Sequence, residues 1–346
     1  MQKRTRIPKW LKWEFWPYRI FYIPVYFLIV VHAIRARTLS YFTLSNPGMK
    51  MGGFASYSKY DILSQLPSSL IPKTILFTEI PSTDFLLAKM QTASIIFPVI
   101  LKPDEGERGW KVEKISNEGE VRKYLSDAPQ RMILQEYIDL PEEYGIMYYR
   151  FPQEKKGNIS SVMKREFLTV TGDGTSTLLE LFQQSERGHY YLARLSLKFK
   201  NELGTVLPEG EVKMLEEIGN HNRGTAFLDA HELINEQLLQ VFDETSSSLK
   251  EFYFGRYDVR TQSYEELLRG NFKVMEVNGA NSEPTHIYDP DMSLMKAYRD
   301  LFHHWKTMFR ISMQNRKRGF KAASMPELYR AIQSHLREKK EHPNEF

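Results

Sequence analysis

Two neighbouring stretches of the chain carry side chains that could hold a cation. Asp258 lies in FGRYDVR, and Glu276 and Asn278 lie in FKVMEVN; both stretches predict strands. Residues two apart on a strand share a face, so Glu276 and Asn278 point the same way, and Asp258 on a neighbouring strand can join them. Two carboxylates and an amide suit Mg²⁺ bound between protein and phosphate groups. The alternative is a polar sheet edge that binds nothing.

A lysine at the end of another predicted strand could bind anions. The run FPVILK ends in Lys102 and is followed by PDEGERGW, a loop that contains two glycines. Such a strand places an ammonium group beside backbone N–H groups that can surround anionic oxygens. Together with the predicted cation ligands, the pattern favours a site for a phosphorylated compound. The alternative is an ordinary hairpin with an exposed lysine.

The elements that would position these residues are a mixture of strands and helices. Helices are predicted at 58–65, 118–125, LLELFQQ, 230–251 and 326–336. The predicted strands are KTILF, IIFPVILK, KVEKI, MILQEYI, residues 145–151 and 160–170, and the two strands described above. The length of 346 residues suits about two domains.

Composition and charge exclude several classes of site. The chain has no cysteine, so disulfides, thiolate nucleophiles, cysteine-bound zinc and iron–sulfur clusters are excluded, and any metal must be bound by oxygen or imidazole. The net charge is +4, but residues 1–40 hold eight basic side chains and one acidic one. The other 306 residues hold 39 basic and 42 acidic side chains. This slightly acidic body argues against a nucleic-acid-binding surface.

The basic residues of the amino-terminal segment surround an apolar stretch. The uncharged run IFYIPVYFLIVV has 12 residues, about 18 Å as a helix, against a hydrocarbon core of roughly 30 Å. Pro17 and Pro24 also disfavour one straight helix. We therefore expect residues 1–44 to form an arm at the inner, cytoplasmic surface of a membrane. The alternatives are a membrane span and packing on the protein's own core or on a partner subunit.

Five motifs, in their order along the chain, resemble the ATP-grasp superfamily, in particular the D-alanine:D-alanine ligases and their relatives. The resemblance runs from about residue 59 to residue 284. SKYDIL and FPVILKPDEGERGW resemble the motifs whose lysines contact the nucleotide phosphates. LQEYIDLPEE resembles the hinge strand against which adenine lies. GRYDVR and VMEVNGAN resemble the strands that carry the metal ligands and a catalytic arginine.

The resemblance implies a role for each matching residue. Lys102 and Arg256 would act in catalysis, with Arg256 steadying the transferring phosphoryl group. Mg²⁺, or Mn²⁺ in its place, would be held by Asp258, Glu276 and Asn278. The residues that would bind ATP are Lys59, Lys102, Glu105, Gly106, Gly109, the base-facing Glu136, Tyr137 and Ile138, and the ribose-binding Glu143.

A second resemblance concerns the middle of the chain. KREFLTVTGDGTSTLLEL and NHNRGTAF are similar to segments of ATP-grasp ligases of the cyanophycin synthetase type. The likeness implies that Lys164 and Arg165 lie on a strand that lines the nucleotide or acyl site. It also implies that Asn222, Arg223 and Thr225 form a polar loop beside the substrate. A tight turn and a surface loop are the alternatives.

The resemblance further implies an α+β protein with the ATP-grasp fold, in which two α+β subdomains enclose ATP. The expected bounds are 1–44 for the arm, 45–134 and 135–325 for the subdomains, and 326–346 for a charged tail. ATP-grasp ligases usually have a separate domain before the nucleotide-binding part, whereas 58 residues precede Lys59 here. The substrate site is therefore expected to use the arm, the membrane surface or another subunit, which makes a homo-oligomer one of the expectations.

The implied reaction is activation of a carboxylate by the γ-phosphate of ATP. The acyl phosphate would be attacked by an amine or another nucleophile, on a substrate that is membrane-bound or lipid-linked. One alternative is a phosphotransferase that acts on a hydroxyl group of a lipid or glycan. The other alternative is a nucleotide-binding protein without turnover.

Overall fold

Two antiparallel sheets organise the described part of the chain, residues 12–106, 110–216 and 224–341 of a computed structural model. The first sheet has the order β1-β4-β2-β3, with β1 (Thr74–Phe77), β2 (Val99–Pro103), β3 (Glu113–Ile115) and β4 (Met132–Glu136). The second has the order β11-β10-β5-β6-β9, with β5 (Glu142–Tyr149), β6 (Asn158–Glu166), β9 (Ala226–Asp229), β10 (Phe254–Thr261) and β11 (Phe272–Asn278). The prediction of mixed α and β structure is confirmed.

Helices cover these sheets and connect their strands. Their bounds are α1 (Tyr18–Phe21), α2 (Ile23–Ala36), α3 (Lys59–Leu63), α4 (Thr83–Thr92), α5 (Glu118–Leu125), α6 (Leu178–Gln184), α7 (Leu192–Lys198), α8 (Glu236–Ser247), α9 (Tyr264–Leu268), α10 (Leu294–Lys317) and α11 (Met325–Glu341). Polar residues cap several of them, as Asn117 caps α5 by accepting from the main chain of Glu120. The predicted helices 118–125 and LLELFQQ have the expected bounds, while 230–251 is shorter and the sequence pattern did not identify α4 or α10.

Strand alternation gives the second sheet one apolar face and one charged face. Tyr144, Ile146 and Tyr148 of β5 point into the main core, where they meet α3, α8 and α9. The intervening residues of β5, beginning with Glu143, point to the other face. Tyr57 and Leu63, which the predicted subdomain 45–134 includes, pack in this core of the second sheet. The predicted boundary at residue 134 falls inside β4.

A third, smaller unit lies between β6 and β9. It contains the two-stranded sheet of β7 (Thr169–Thr171) and β8 (Val212–Met214), together with α6 and α7. It has a separate apolar core around Phe182 and Leu195. Thr177 and Glu180 form a capping box at the start of α6, which explains why the TGDGTST turn leads into a helix.

The amino-terminal arm packs on the protein's own core along one side, which was one of the three alternatives. Phe21 and Val25 lie against Leu301 of α10, and Ala33 and Ala36 lie in the adjoining cluster. The other side of the arm is apolar and exposed; this outer stripe consists of Ile20, Ile23, Phe27, Val30 and Ile34. Within the described ranges, no helix combines the length and apolarity that crossing a bilayer requires.

One buried asparagine connects the start of β10 to the turn at residues 46–53. Asn46 Oδ1 accepts from the main-chain N–H groups of Tyr253 (2.8 Å) and Phe254 (2.9 Å). Its Nδ2 donates to the carbonyl oxygens of Gly52 (2.9 Å) and Phe254 (2.7 Å). The Gly52 carbonyl also accepts from the N–H of Ala280, just beyond β11. This network fixes the ends of β10 and β11 where the charged face begins.

We expect Asn46→Ala to lower the free energy of unfolding by about 3 kcal/mol, because it leaves several buried main-chain groups without a partner. Urea denaturation at neutral pH measures the change. Asn201→Ala, at an exposed position, is the control and should stay within about 0.5 kcal/mol of the wild type. A loss below about 1 kcal/mol for Asn46→Ala would contradict the role given to this residue.

Candidate functional site

The charged face of the second sheet brings the predicted cation ligands together. In the β10–β11 register, Arg256 lies opposite Asn278 and Asp258 lies opposite Glu276, and a bulge follows Asp258. Residues directly opposite each other share a face, so all four side chains point into the same space. The structure thus brings Asp258, Glu276 and Asn278 together, and their role as metal ligands stays a prediction.

Asp258 is buried and is surrounded by guanidinium groups. It accepts from Arg256 Nε at 2.8 Å and Arg256 Nη2 at 3.1 Å, and from Arg165 Nη2 at 3.4 Å. Burial opposes the charge of this carboxylate, but Arg256 and Arg165 outweigh burial and hold the pKa of Asp258 below its ordinary value. The intervening strand β5 has Gly145 opposite Asp258, where a Cβ atom would come within 3.3 Å of Arg256 Cδ and 2.8 Å of Met163 Cε. A glycine there leaves room for Arg256 and Met163.

Glu276 and Asn278 complete an oxygen-rich group. Asn278 Nδ2 donates to Asp258 Oδ2 at 3.4 Å, and Asn278 Oδ1 accepts from the Tyr57 hydroxyl at 3.0 Å. The Glu276 carboxylate is 29% exposed and lies 3.8 Å from Lys59 Nζ. In the part of the chain that the structure describes, no group of three or more His, Asp or Glu side chains could hold a metal ion. The donor set here is instead two carboxylates and one amide, hard oxygen donors that fit Mg²⁺.

Two lysines from outside the second sheet reach β11 beside this group. Lys102, at the end of β2, donates to Gln135 Oε1 at 2.9 Å and reaches the carbonyl of Met275, on β11, at 3.5 Å. Burial lowers the pKa of Lys102 to about 8, because it destabilises the charged ammonium group. A bound anion would stabilise that charged group, so anion binding beside Lys102 is favoured. Lys59, at the start of α3, donates to the carbonyl of Gly106, whose φ of +136° suits glycine.

The hinge between the sheets carries the residues implied to face adenine. Glu136 ends β4, and its carboxylate accepts from the main-chain N–H of Lys73 at 3.2 Å. Arg260 Nη1 donates to the carbonyl of Ile138 at 2.7 Å, and its guanidinium lies over the Tyr137 ring. These contacts join the hinge to β10, which places the hinge beside the charged face.

Glu143 and Lys164 are placed differently from what the resemblances imply. Glu143 is buried between Arg165 and Arg260, with each carboxylate oxygen already accepting from an arginine, so it is not presented as an open ribose-binding group. Lys164 points to the opposite face from Arg165, donates to Glu142 and lies over the Tyr144 ring, because neighbouring residues on a strand alternate. The two residues cannot line the same site.

The remaining implied site residues are less informative. Thr225 is fully buried, and the carbonyl of the preceding Gly224 accepts from Arg187 Nε at 3.2 Å. Glu105 follows Asp104 in the loop after β2 and is partly exposed. Gly109, Asn222 and Arg223 lie outside the described residues.

Asp104 is a residue of this region that the sequence reading missed. Its carboxylate accepts from the main-chain N–H of Tyr60 at 2.9 Å and from Ser58 Oγ at 3.0 Å, and it is ion-paired with Arg131. Its own carbonyl accepts from the N–H of Lys59 at 3.1 Å. Asp104 thereby fixes the loop after Lys102 against the first turn of α3. In the sequence, the position of Asp104 directly after Lys102 and Pro103 is the feature that could have identified it.

The motifs named from the sequence meet at one place. Lys102, the hinge at 136–138 and strands β10 and β11 come from two antiparallel sheets and lie beside one another. The described residues have a mixed α/β fold built on two main antiparallel sheets, and membership of the ATP-grasp superfamily stays a prediction from the sequence motifs. No family model matches the sequence, and no curated protein matches it.

Several ligases are among the solved structures with a partial likeness to this chain. They include a bifunctional glutathione synthetase from Pasteurella multocida, with 15% identity over 74% of this chain and 38% of that one (TM-score 0.37). The VanG D-Ala:D-Ser ligase from Enterococcus faecalis shares 12% identity over 75% and 60% (TM-score 0.39). A D-alanine–D-alanine ligase from Bacillus anthracis, solved with ATP, shares 14% over 76% and 67% (TM-score 0.42). The match thus spans less than two thirds of the first two proteins, and at these scores the likeness is no basis for assigning an activity.

We expect Asp258→Asn and Glu276→Gln to differ in stability although both remove a charge from the same site. Asp258→Asn leaves Arg256 and Arg165 buried without their shared carboxylate and should cost about 3–5 kcal/mol. Glu276→Gln breaks only a long, partly exposed ion pair and should change stability by less than about 1 kcal/mol. Urea unfolding of both variants measures the difference. Equal losses would contradict the electrostatic roles given to the two carboxylates.

Proposed function

We propose that the chain is an ATP-dependent ligase that converts a carboxylate into an acyl phosphate, which an amine then attacks. One observation carries this proposal: Lys102 from the first sheet reaches the Met275 carbonyl on β11, within the electrostatic influence of Asp258 and Glu276, and these two carboxylates lie beside Arg256 and Asn278. Phosphoryl transfer requires positive charge and a hard cation around the transferring group. Lys102 and Arg256 supply the positive charge, and the carboxylates and the amide are suited to bind the cation.

The cleft has the charge that a triphosphate needs. Five cationic side chains and three carboxylates form it, namely Lys59, Lys102, Arg165, Arg256 and Arg260 with Glu143, Asp258 and Glu276. The surplus of positive charge among these groups favours a polyanion. The hinge at 136–138 offers main-chain groups and an aromatic ring beside it, which suits a nucleobase.

A divalent cation would bind to the oxygen donors on β10 and β11. Asp258, Glu276 and Asn278 would hold Mg²⁺, or Mn²⁺ in its place, and the bound ion would offset charge on the phosphates. Glu276 is the most accessible of the three, since its ion pair with Lys59 is long and its carboxylate is partly exposed. Arg256, held in plane by Asp258, would contact the transferring phosphoryl group. No covalent protein nucleophile is required.

The runner-up keeps the cleft and changes the acceptor to a hydroxyl group of a lipid or glycan. Nucleotide binding without turnover is the third reading. The presence of both Asp258 and Glu276 beside Arg256 disfavours this third alternative, because a protein that only binds a nucleotide does not need both carboxylates. The two catalytic alternatives differ in the product, so product chemistry distinguishes them.

We expect an acyl phosphate to form, and hydroxylamine converts an acyl phosphate into a hydroxamate but leaves a phosphate ester intact. The assay supplies magnesium ATP, hydroxylamine and fractions of a cell extract, lipids included. Hydroxamate, ADP and free phosphate are the expected products. Lys102→Ala and Glu276→Gln should lower the rate on the order of a hundredfold or more.

A stable product that retains the γ-phosphate would favour the phosphotransferase instead. Lys164→Ala is the matched control for Lys102→Ala, because Lys164 lies on the opposite face of the sheet, and it should leave the rate within about twofold. Normal magnesium-dependent turnover by Glu276→Gln would contradict the site itself.

We also infer that the protein works at the inner surface of a membrane. The outer stripe presents five large apolar side chains to solvent, and the charged residues exposed beside it are Arg19, Arg35 and Arg37. The one acid of the described arm, Glu14, is buried in an ion pair with Arg187. An apolar surface with only basic neighbours fits an anionic leaflet, to which each basic residue adds about 1 kcal/mol. A second copy of the chain would bring like charges together.

Flotation with anionic vesicles tests this attachment. Deleting the arm would remove part of the core, so the test variant is Ile20→Ser/Ile23→Ser/Phe27→Ser, which changes the outer stripe alone. We expect vesicle binding to fall by at least about tenfold, because apolar burial in lipid is lost. Ile96→Ser, at an equally exposed site far from the arm in sequence, should bind like the wild type. Equal flotation of all three proteins would contradict membrane attachment.

A further inference from the structure

The arm reaches the functional site through one tyrosine. Tyr22, between α1 and α2, donates its hydroxyl to Glu283 Oε1, and Tyr288 donates to Glu283 Oε2 at 3.3 Å. Tyr22 is 5% exposed, and burial together with the charge of Glu283 holds the pKa of Tyr22 well above its ordinary value. Tyr22 therefore stays protonated and remains a donor. The Glu283 carboxylate is held from two sides, by the arm and by its own loop.

The main chain of Glu283 in turn holds Arg256. Arg256 Nη1 donates to the Glu283 carbonyl at 3.1 Å, while Nε and Nη2 donate to the two oxygens of Asp258. The contact with Asp258 fixes the plane of the guanidinium, and the Glu283 carbonyl fixes its far edge. A shift of Glu283 would therefore tilt the group that faces the transferring phosphoryl.

We propose that Tyr22 is a positioning residue for Arg256 and acts through Glu283. The catalytic meaning of this contact rests on the proposed function. If Tyr22 loses its hydroxyl, the half-buried Glu283 carboxylate loses a donor and must turn to find another. Its carbonyl then moves with it, and Arg256 loses its third fixed contact. The defect should appear in kcat and not in ATP binding, because the lysines of the cleft are untouched.

Other anchors keep the arm and the loop folded without this hydroxyl. His286 lies between Ser161 Oγ (2.7 Å) and Asp300 Oδ2 (3.1 Å), so the far end of the loop has its own attachment. Trp13 Nε1 donates to the Met292 carbonyl at 3.0 Å, and the Tyr298 hydroxyl donates to the Phe21 carbonyl at 2.9 Å. A phenylalanine at position 22 retains the buried ring. Tyr22→Phe should therefore fold normally.

The test compares Tyr22→Phe with Tyr26→Phe. Tyr26 lies one turn further along α2 and hydrogen-bonds to Tyr18, so its variant also removes one hydroxyl from the arm. With magnesium ATP, hydroxylamine and the active extract fraction, we expect Tyr22→Phe to lower kcat about tenfold and to leave the KM for ATP within twofold. Amide hydrogen exchange in residues 279–289 should accelerate by at least about tenfold. Tyr26→Phe should match the wild type in all three measurements.

A double-mutant cycle tests the route. Glu283→Ala removes the carboxylate but keeps the carbonyl, and it should lower kcat at least as much as Tyr22→Phe does. Tyr22→Phe/Glu283→Ala should be no slower than Glu283→Ala alone, because Tyr22 acts only through that carboxylate. Additive losses would overturn the proposal. Unchanged kcat and exchange in Tyr22→Phe, slower turnover without faster exchange, or equal effects in Tyr26→Phe would also overturn it.

Failure of the proposed function is a separate result. A wild-type protein that forms no hydroxamate and releases no ADP with any fraction would contradict the proposed ligase activity. Amide hydrogen exchange would then be the test of the contact between Tyr22 and Glu283. Faster exchange of residues 279–289 in Tyr22→Phe would then still support the link from Tyr22 to Glu283, and unchanged exchange would overturn it.

Discussion

A buried carboxylate must be neutralised by nearby positive charge, and the placement of the arginines in this site depends on that requirement. Asp258 lies on a central strand, where it meets Arg256 from its own strand and Arg165 from β6, two strands away. Gly145 of the intervening strand β5 lies opposite Asp258 and leaves space for the side chain of Arg256. The strand order of the second sheet is thus tied to one ionic cluster, whose arginines also neutralise Glu143.

The sequence was sufficient for those parts of the site that depend on local periodicity. Glu276 and Asn278 had to share a face because a strand repeats every two residues, and a bulge after Asp258 does not disturb the pairing of Asp258 with Glu276. Lys102 was identifiable because an apolar strand ends at it and a glycine-bearing loop follows. In each case the information lies within about ten residues of the chain.

The parts that failed depend on partners distant in sequence. Alternation alone shows that Lys164 and Arg165 point to opposite faces, but not which face carries the charged cluster, and the likeness to another ligase type had placed both in one site. The ion pairs that occupy Glu143 come from β6 and β10, which only the sheet order reveals. Tyr22 and Glu283 are 261 residues apart, and no sequence pattern in the arm predicts their contact. The apolar sequence of a helix indicates that one of its faces is buried, but it does not indicate which surface buries that face.

The docking of the arm on α10 also has a consequence for the order in which the protein is made. Trp13 and Phe21 contact residues 279 and 277 positions further along the chain. At about 5–20 residues per second, a ribosome needs on the order of ten seconds or more to supply those partners after the arm has emerged. Throughout that interval the inner side of α2 is as uncovered as its outer stripe, and the helix is apolar nearly all round. Before α10 has been synthesised, only a chaperone or a lipid surface can bury the apolar side chains of the arm. The arm therefore contacts other molecules before the rest of the site has folded.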